Sequence, residues 1–318
     1  MLSSIRRRKR LVLLIVIGVL LLVLSWWRSP VSLRPSDHFN VTQLAVPKAS
    51  GQGQVTATHV WEVNGSGAGF GGFSALIAMP NDQLRAFSDR NWRLTFTMEE
   101  NGPAGMNTAQ VIPADGFGLS LFDIEAATSA PDGSAYWLSY EATHAIHRYG
   151  ADDSAEAVRL LEEELSLPLN AGLEALVRLA DGQFLAFAEG QNDGYVFTGD
   201  PADGAELASF PVEWPVADYR PTDASQLPDG RVLVLMRRFS PLPLPTFESL
   251  LVVGESPVPD AIWRPQLLAS LEGIVPRENY EGLAVRPLPG GAAELWLISD
   301  DNFSAFQRTL LARLVYAP

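Results

Sequence analysis

The chain has 318 residues, 19% charged, 47% hydrophobic and 9% aromatic, a mixture that excludes disordered and collagen-like classes. Cysteine is absent, which removes disulfide scaffolds, zinc–thiolate sites, iron–sulfur clusters and thiol catalysis together. The net charge of −14 averages two unlike parts: seven basic residues and no acid precede Asp37, leaving 16 basic against 37 acidic residues and a net −21 beyond. Such a surface repels nucleic acid and favours cations, so no nucleic-acid partner is expected.

In chain order, residues 1–10 form a cytoplasmic basic segment ending in Arg6 to Arg10. Leu11 to Leu24 is an apolar run of 14 residues, interrupted only by Gly18. Ser25, Trp26 and Trp27 extend it to 17, near the lower limit for a bilayer-spanning helix. A cleavable signal peptide is the competing reading, since 14 apolar residues suit its central region. No small-x-small cleavage site follows in Trp26-Trp27-Arg28-Ser29-Pro30, and paired tryptophans suit a membrane interface. The expectation is a retained transmembrane signal anchor over 11–27 as the membrane partner, with residues 28–318 outside the cytoplasm.

Residues 28–54 read as a Pro-, Ser-, Gly- and Gln-rich linker, and residues 55–318 as the folded domain. The best helical candidate there, Ser154 to Leu165, is short and very acidic. Alternating patterns and the turns Pro131-Asp132-Gly133, Ala180-Asp181-Gly182 and Pro228-Asp229-Gly230 indicate β-hairpins instead. Similar hairpins start at Ser74, Glu125, Glu174, Asp223 and Glu281, spaced by 51, 49, 49 and 58 residues. A period near 50 made of strands and turns is that of a four-stranded propeller blade. The fold class is all-β: a β-propeller, with five copies visible and Val55 to Val63 joining Thr309 to Tyr316 as a sixth blade. Five or seven blades are the alternatives.

A register symmetric about Asp181 brings Glu174 opposite Glu189; the same count applied to every copy gathers polar residues on one face around the central channel. That face carries Asp89, Arg90, Glu125, Glu141, Glu174, Glu189, Asp223, Arg237, Arg238, Glu281, Asp300 and Asp301. Crowded carboxylates raise one another's pKa unless a cation is present, and oxygen ligands favour Ca²⁺ or Mg²⁺. Glu125, Glu174, Glu281 and Asp300 are the expected metal ligands, with Arg90 and Arg237 as clamps for an anionic substrate. Acids at strand ends also cap hairpins through backbone N–H groups, so each of these residues has an architectural alternative.

Asn279-Tyr-Glu-Gly-Leu-Ala284, Leu297-Ile-Ser-Asp-Asp-Asn-Phe303, Gly172-Leu-Glu-Ala-Leu176, Gly71-Gly-Phe-Ser-Ala75 and Phe87-Ser-Asp-Arg90 resemble the phytase-like family with "esterase-like activity of phytase". The resemblance covers roughly Gly69 to Leu314. It implies a propeller of the bacterial envelope, here on the inner membrane with its domain periplasmic or extracellular, and a hydrolase acting on phosphate or carboxylic esters. Other chemistries lack their motifs: Gly72-Phe-Ser74-Ala-Leu76 is not a nucleophile elbow, and neither a P-loop nor a dinucleotide fingerprint occurs. His144 and His147 fall on opposite faces of a strand-like segment, which argues against metal ligation. Trp61, Trp92, Trp137, Trp214, Trp263 and Trp296 sit in or beside apolar runs and read as packing between blades. Two function classes remain: a metal-dependent hydrolase of a small anionic ester, and a non-catalytic scaffold binding an envelope partner.

Overall fold

The computed structural model describes residues 2–25, 38–47, 51–67, 69–111, 123–165, 167, 171–240 and 247–318. Helix α1 (Leu2–Ser25) is followed by strands β1 (His38–Leu44), β2 (Gly51–Gln52) and β3 (Val55–Ser66). Then come β4 (Phe73–Ala78), β5 (Gln83–Ser88), β6 (Trp92–Glu99) and β7 (Gly102–Gln110). The next four are β8 (Ile124–Ser129), β9 (Ala135–Tyr140), β10 (Ala145–Gly150) and β11 (Ala155–Leu160). A third set is β12 (Leu173–Arg178), β13 (Phe184–Ala188), β14 (Asp193–Phe197) and β15 (Leu207–Pro211). Beyond it lie β16 (Arg220–Gln226), β17 (Val232–Phe239), β18 (Phe247–Gly254) and β19 (Gln266–Ser270). The last are β20 (Tyr280–Pro287), β21 (Ala293–Ser299) and β22 (Thr309–Tyr316).

Among the described residues these strands form five antiparallel sheets, and β4, β8, β12, β16 and β20 each begin one. The propeller therefore has five blades, not six. The terminal segments expected to make a sixth pair with the fifth instead, in the order β1-β3-β22-β21-β20. Val55 to Val63 lies against Thr309 to Tyr316, so the ring is closed by hydrogen bonds between the two ends of the domain. The part of the expected linker covering His38–Leu44 is likewise the edge strand of this blade, paired with β3 from His38↔Ser66 to Leu44↔Val60.

Five buried clusters fill the five junctions between blades. Trp61 and Trp296 pack with Phe73 and Leu84 between the fifth and first blades, while Phe87 meets Tyr136 and Tyr149 between the first and second. Trp137 and Phe184 join the second to the third, and Phe187 and Trp263 the third to the fourth. Leu235, Leu251, Leu283 and Leu297 join the fourth to the fifth. Each fully buried Leu, Val or Phe contributes about 1.5–3 kcal/mol by leaving water. These tryptophans are packing residues, as their apolar surroundings suggest. His147 is fully buried with its ring edge-on to Tyr140, and burial pushes its pKa down to about 4.

The hairpin turns share one local chemistry. Asp132, Asp181 and Asp229 each accept the backbone N–H two residues on, from Ser134, Gln183 and Arg231, and the glycine between takes a left-handed φ of 71°, 91° or 92°. The acidic segment Ser154 to Leu165 is strand β11 and a turn rather than a helix, because Ala145 to Tyr149 offers it a partner strand.

The N-terminal expectation finds no support among the described residues. Residues 2–25 are helical and Leu11 to Ile17 are exposed, yet no helix among the described residues is long and apolar enough to cross a membrane. Trp26 and Trp27, which extend the expected anchor, lie outside the described residues.

Candidate functional site

Every innermost strand slips register at the same step: at Phe73/Ala75, Ile124/Ala126, Leu173/Ala175, Pro221/Asp223 and Tyr280/Gly282. The residues bulged out are Ser74, Glu125, Glu174, Thr222 and Glu281. A β-bulge bends the strand and re-aims one side chain, and here it does so five times around one axis. In four blades the second strand ends beside the bulge and the next residue is Asp89, Glu141, Glu189 or Asp300; in the fourth blade the strand runs on to Phe239 and Arg237 holds the equivalent position. In four blades that residue's N–H donates to the carbonyl two residues before the bulge: Asp89 to Gly72 (2.9 Å), Glu141 to Asp123 (3.0 Å), Glu189 to Gly172 (3.1 Å) and Asp300 to Asn279 (2.9 Å). One mouth of the channel is thus ringed twice, by three acids with Ser74 and Thr222, then by four acids with Arg237.

Most of the residues expected on this face belong to these rings, but four have other work. Asp223 lies one step beyond the bulge; its carboxylate is buried and accepts N–H bonds from Leu283 (2.6 Å) and Ala224 (2.8 Å). Thr222 holds the ring position instead. The sequence contains the signal, since seven residues separate Ser74 from Asn81, Glu125 from Asp132, Glu174 from Asp181 and Thr222 from Asp229. Asp301 accepts N–H bonds from Gly72 (3.0 Å) and Phe303 (2.9 Å) and so fastens the fifth blade to the first. Arg238 is bonded to Glu248 at 2.7 Å, and Arg90 lies over the Phe303 ring, 3.2 Å from its centre.

Two functional candidates go unnoticed in the hairpin alignment. Asp123 and Asn279 stand two residues before Glu125 and Glu281, where the first and third blades have Gly72 and Gly172. Asp123 takes a left-handed φ of 76°, close to the 64° of Gly72. The parallel spacing of Asp123-Ile-Glu125, Gly172-Leu-Glu174 and Asn279-Tyr-Glu281 is the signal that marks them.

The acids fall into two neighbourhoods. Asp123, Glu125 and Glu141 bring one oxygen each within 4.8 Å of one another, and Glu141, Glu174 and Glu189 do the same. Oxygen ligands 2.3–2.6 Å from a Ca²⁺ lie up to about 5 Å apart, so either group fits a hard cation. Glu174 is 6% exposed, and among the described residues no hydrogen-bond donor reaches its carboxylate. Glu281 and Asp300, expected to join Glu125 and Glu174, sit instead with Asn279 and Arg237. Arg237 Nη1 donates to Glu281 and, at 2.6 Å, to Asn279 Oδ1; Asn279 Nδ2 donates to Glu281 at 2.7 Å.

Burial and mutual repulsion hold these carboxyls protonated above their ordinary range. Burial pushes up Glu125, reinforced by Glu174 and Glu281; it pushes up Glu174, reinforced by Glu189 and opposed by Arg237. Asp89 rises to about 7 through burial and then Asp123. Glu141 also rises to about 7, through burial and then Asp123, with which it shares a hydrogen bond. Burial raises Asp300 with help from Glu281, whereas Arg237 and Asn279 restrain the rise at Glu281. Burial works against the charge on Arg237, but Glu281, Glu174, Asp300 and Glu125 hold its pKa above the ordinary value.

The family described as "Phytase-like: Esterase-like activity of phytase" matches residues 68–303. No curated protein matches the chain. Among solved structures, a luciferin-regenerating enzyme is 11% identical, with 92% of this chain and 94% of that chain covered and a TM-score of 0.45. The α-L-arabinofuranosidase PaAbf62A from Podospora anserina, in complex with cellotriose, is 11% identical over 80% of this chain and 93% of its own, with a TM-score of 0.49. The PQQ-bound aldose sugar dehydrogenase from Streptomyces coelicolor is 11% identical over 89% and 100%, with a TM-score of 0.42.

Proposed function

The chain belongs to the phytase-like family, and from that premise we propose that it is a metal-dependent hydrolase of small anionic phosphate or carboxylic esters, working at the acidic mouth of the channel. The observation that carries this reading is Glu174, a buried carboxylate with no hydrogen-bond donor among the described residues, placed between Glu141 and Glu189. Leaving a buried charge uncompensated costs several kcal/mol, and a Ca²⁺ or Mg²⁺ shared with Glu141 and Glu189 removes that cost. Such an ion polarises an ester oxygen and lowers the pKa of a water. Arg237, the lone cation of the second ring, is anchored through Nη1 and leaves the rest of its fork to meet the anionic part of the substrate. Arg90, whose guanidinium lies over the Phe303 ring, would be the second contact for that charge. The basic cluster ahead of a short apolar helix supports delivery of the domain out of the cytoplasm.

Calorimetric titration of the full chain with Ca²⁺ and Mg²⁺, with a panel of phosphomonoester, phosphodiester, carboxylic ester and lactone substrates before and after chelation, tests this. Cation binding that Glu174→Gln abolishes, together with cation-dependent turnover of a substrate in the panel, supports it. Absence of cation binding, with Glu174→Gln as stable and as active as the parent, overturns it in favour of a scaffold that binds an envelope partner.

A further inference from the structure

The acids gathered by the second and third blades do not form one ligand set. Asp123, Glu125 and Glu141 lie in or beside β8 and β9, and Glu174 and Glu189 in or beside β12 and β13. Among the described residues the spacing that one ion requires is met only within two sets of three, and Glu141 belongs to both. The set around Glu174 therefore leaves out Asp123 and Glu125.

Those two residues have no cation of their own. Among the described residues no hydrogen-bond donor reaches the Glu125 carboxylate, and the Asp123 carboxyl is bonded only to that of Glu141. Arg237, the nearest cation, is engaged by Glu281 and Asn279. Glu174, 6% exposed and itself without a donor, is the charge that acts most strongly on Glu125, so the buried carboxylate bears on both sets. One divalent ion against five crowded carboxylates leaves most of their charge uncompensated, and repulsion between like charges at this range is costly away from water.

We propose that the acidic mouth holds two hard divalent cations, the second on Asp123, Glu125 and Glu141, with Glu141 bridging the pair. The inference rests on the cation-dependent reading above and adds a second metal site to it. Ions paired in this way lie about 3.5–4 Å apart, a spacing suited to clamping the attacking and leaving oxygens of one displacement. Mn²⁺ takes the same oxygen ligands and reports its neighbours by electron paramagnetic resonance. Equilibrium dialysis of the full chain against Ca²⁺ and Mn²⁺ is expected to give two tightly bound ions. The bound Mn²⁺ should show the spectrum of a spin-coupled pair in place of the six lines of an isolated ion. Asp123→Asn, which keeps a residue type tolerant of the left-handed φ there, and Glu125→Gln are each expected to leave one ion with an isolated-ion spectrum. The thermal midpoint of either variant without ions should be no lower than the parent's. Glu141→Gln, at the bridge, is expected to weaken both ions by about tenfold or more. A single bound ion in the parent, two without spin coupling, or two that survive both substitutions overturns the second site and leaves the single-cation reading standing. Absence of binding by Ca²⁺, Mg²⁺ and Mn²⁺ alike overturns both.

Discussion

Arg237, within the fourth blade's second strand, is bonded to Glu281, the bulged residue of the fifth blade's first strand. One ion pair therefore joins the two rings and two neighbouring blades, and it divides the mouth into an acidic half around Glu141 and a neutralised half around Asn279. The pair is largely buried, with side-chain exposures of 23% and 9%.

Removing one partner of such a pair strands the other. Arg237→Ala is expected to lower stability by about 3–5 kcal/mol, read as a fall in the urea midpoint. Adding Glu281→Gln to that background should recover part of the loss. Strictly additive effects in this double-mutant cycle would show that the two side chains do not interact.

The raised carboxyls make the ion-free protein sensitive to alkali rather than acid in this range. Asp89 and Glu141, both near 7 when folded, hold protons that the unfolded chain releases near 4. Their protonation therefore stabilises the fold fully below about pH 4, and that contribution fades as pH rises towards 7. Thermal midpoints of chelated protein should fall across this interval, and Ca²⁺ should restore them at pH 7 if the site takes the ion. A chelated midpoint rising steadily from pH 4.5 to 7 contradicts this assignment.

Asp223 is a test of architecture rather than chemistry. Asp223→Ala leaves the Leu283 and Ala224 N–H groups buried without their acceptors, a loss of about 2 kcal/mol or more in chemical denaturation. Asp223→Asn keeps one acceptor oxygen and should lie between. Cation affinity measured on the folded variants should not change, because Asp223 is outside the groups around Glu141.

Gly282 follows the bulge of the fifth blade, and a Cβ there would lie 2.8 Å from the Leu76 backbone nitrogen and 2.7 Å from Ile298 Cγ2. Backbone does not yield as a side-chain tip does, so Gly282→Ala should destabilise by about 1–3 kcal/mol. A midpoint equal to the parent's would mean that the first and fifth blades are less closely apposed.

Local chemistry made the blade legible in the sequence. Pro-Asp-Gly and Ala-Asp-Gly turns act over three or four residues, and alternation acts over two, so both survive as text. The same reach shows why Glu125, Glu174 and Glu281 share a step, each seven or more residues ahead of its turn. Ring closure is not local: β3 joins β22 across some 250 residues, and only that pairing decides that the leftover strands complete a fifth blade instead of building a sixth. The one-residue difference between Thr222 and Asp223 was set by where the strand bulges, and a slip of one residue in a strand moves a side chain to the other face. The association of Asp123 with Glu141, and of Arg237 with Glu281, arises between strands and blades brought side by side by apolar packing. The amino-acid order supplies those charges; the curvature of the ring brings them together.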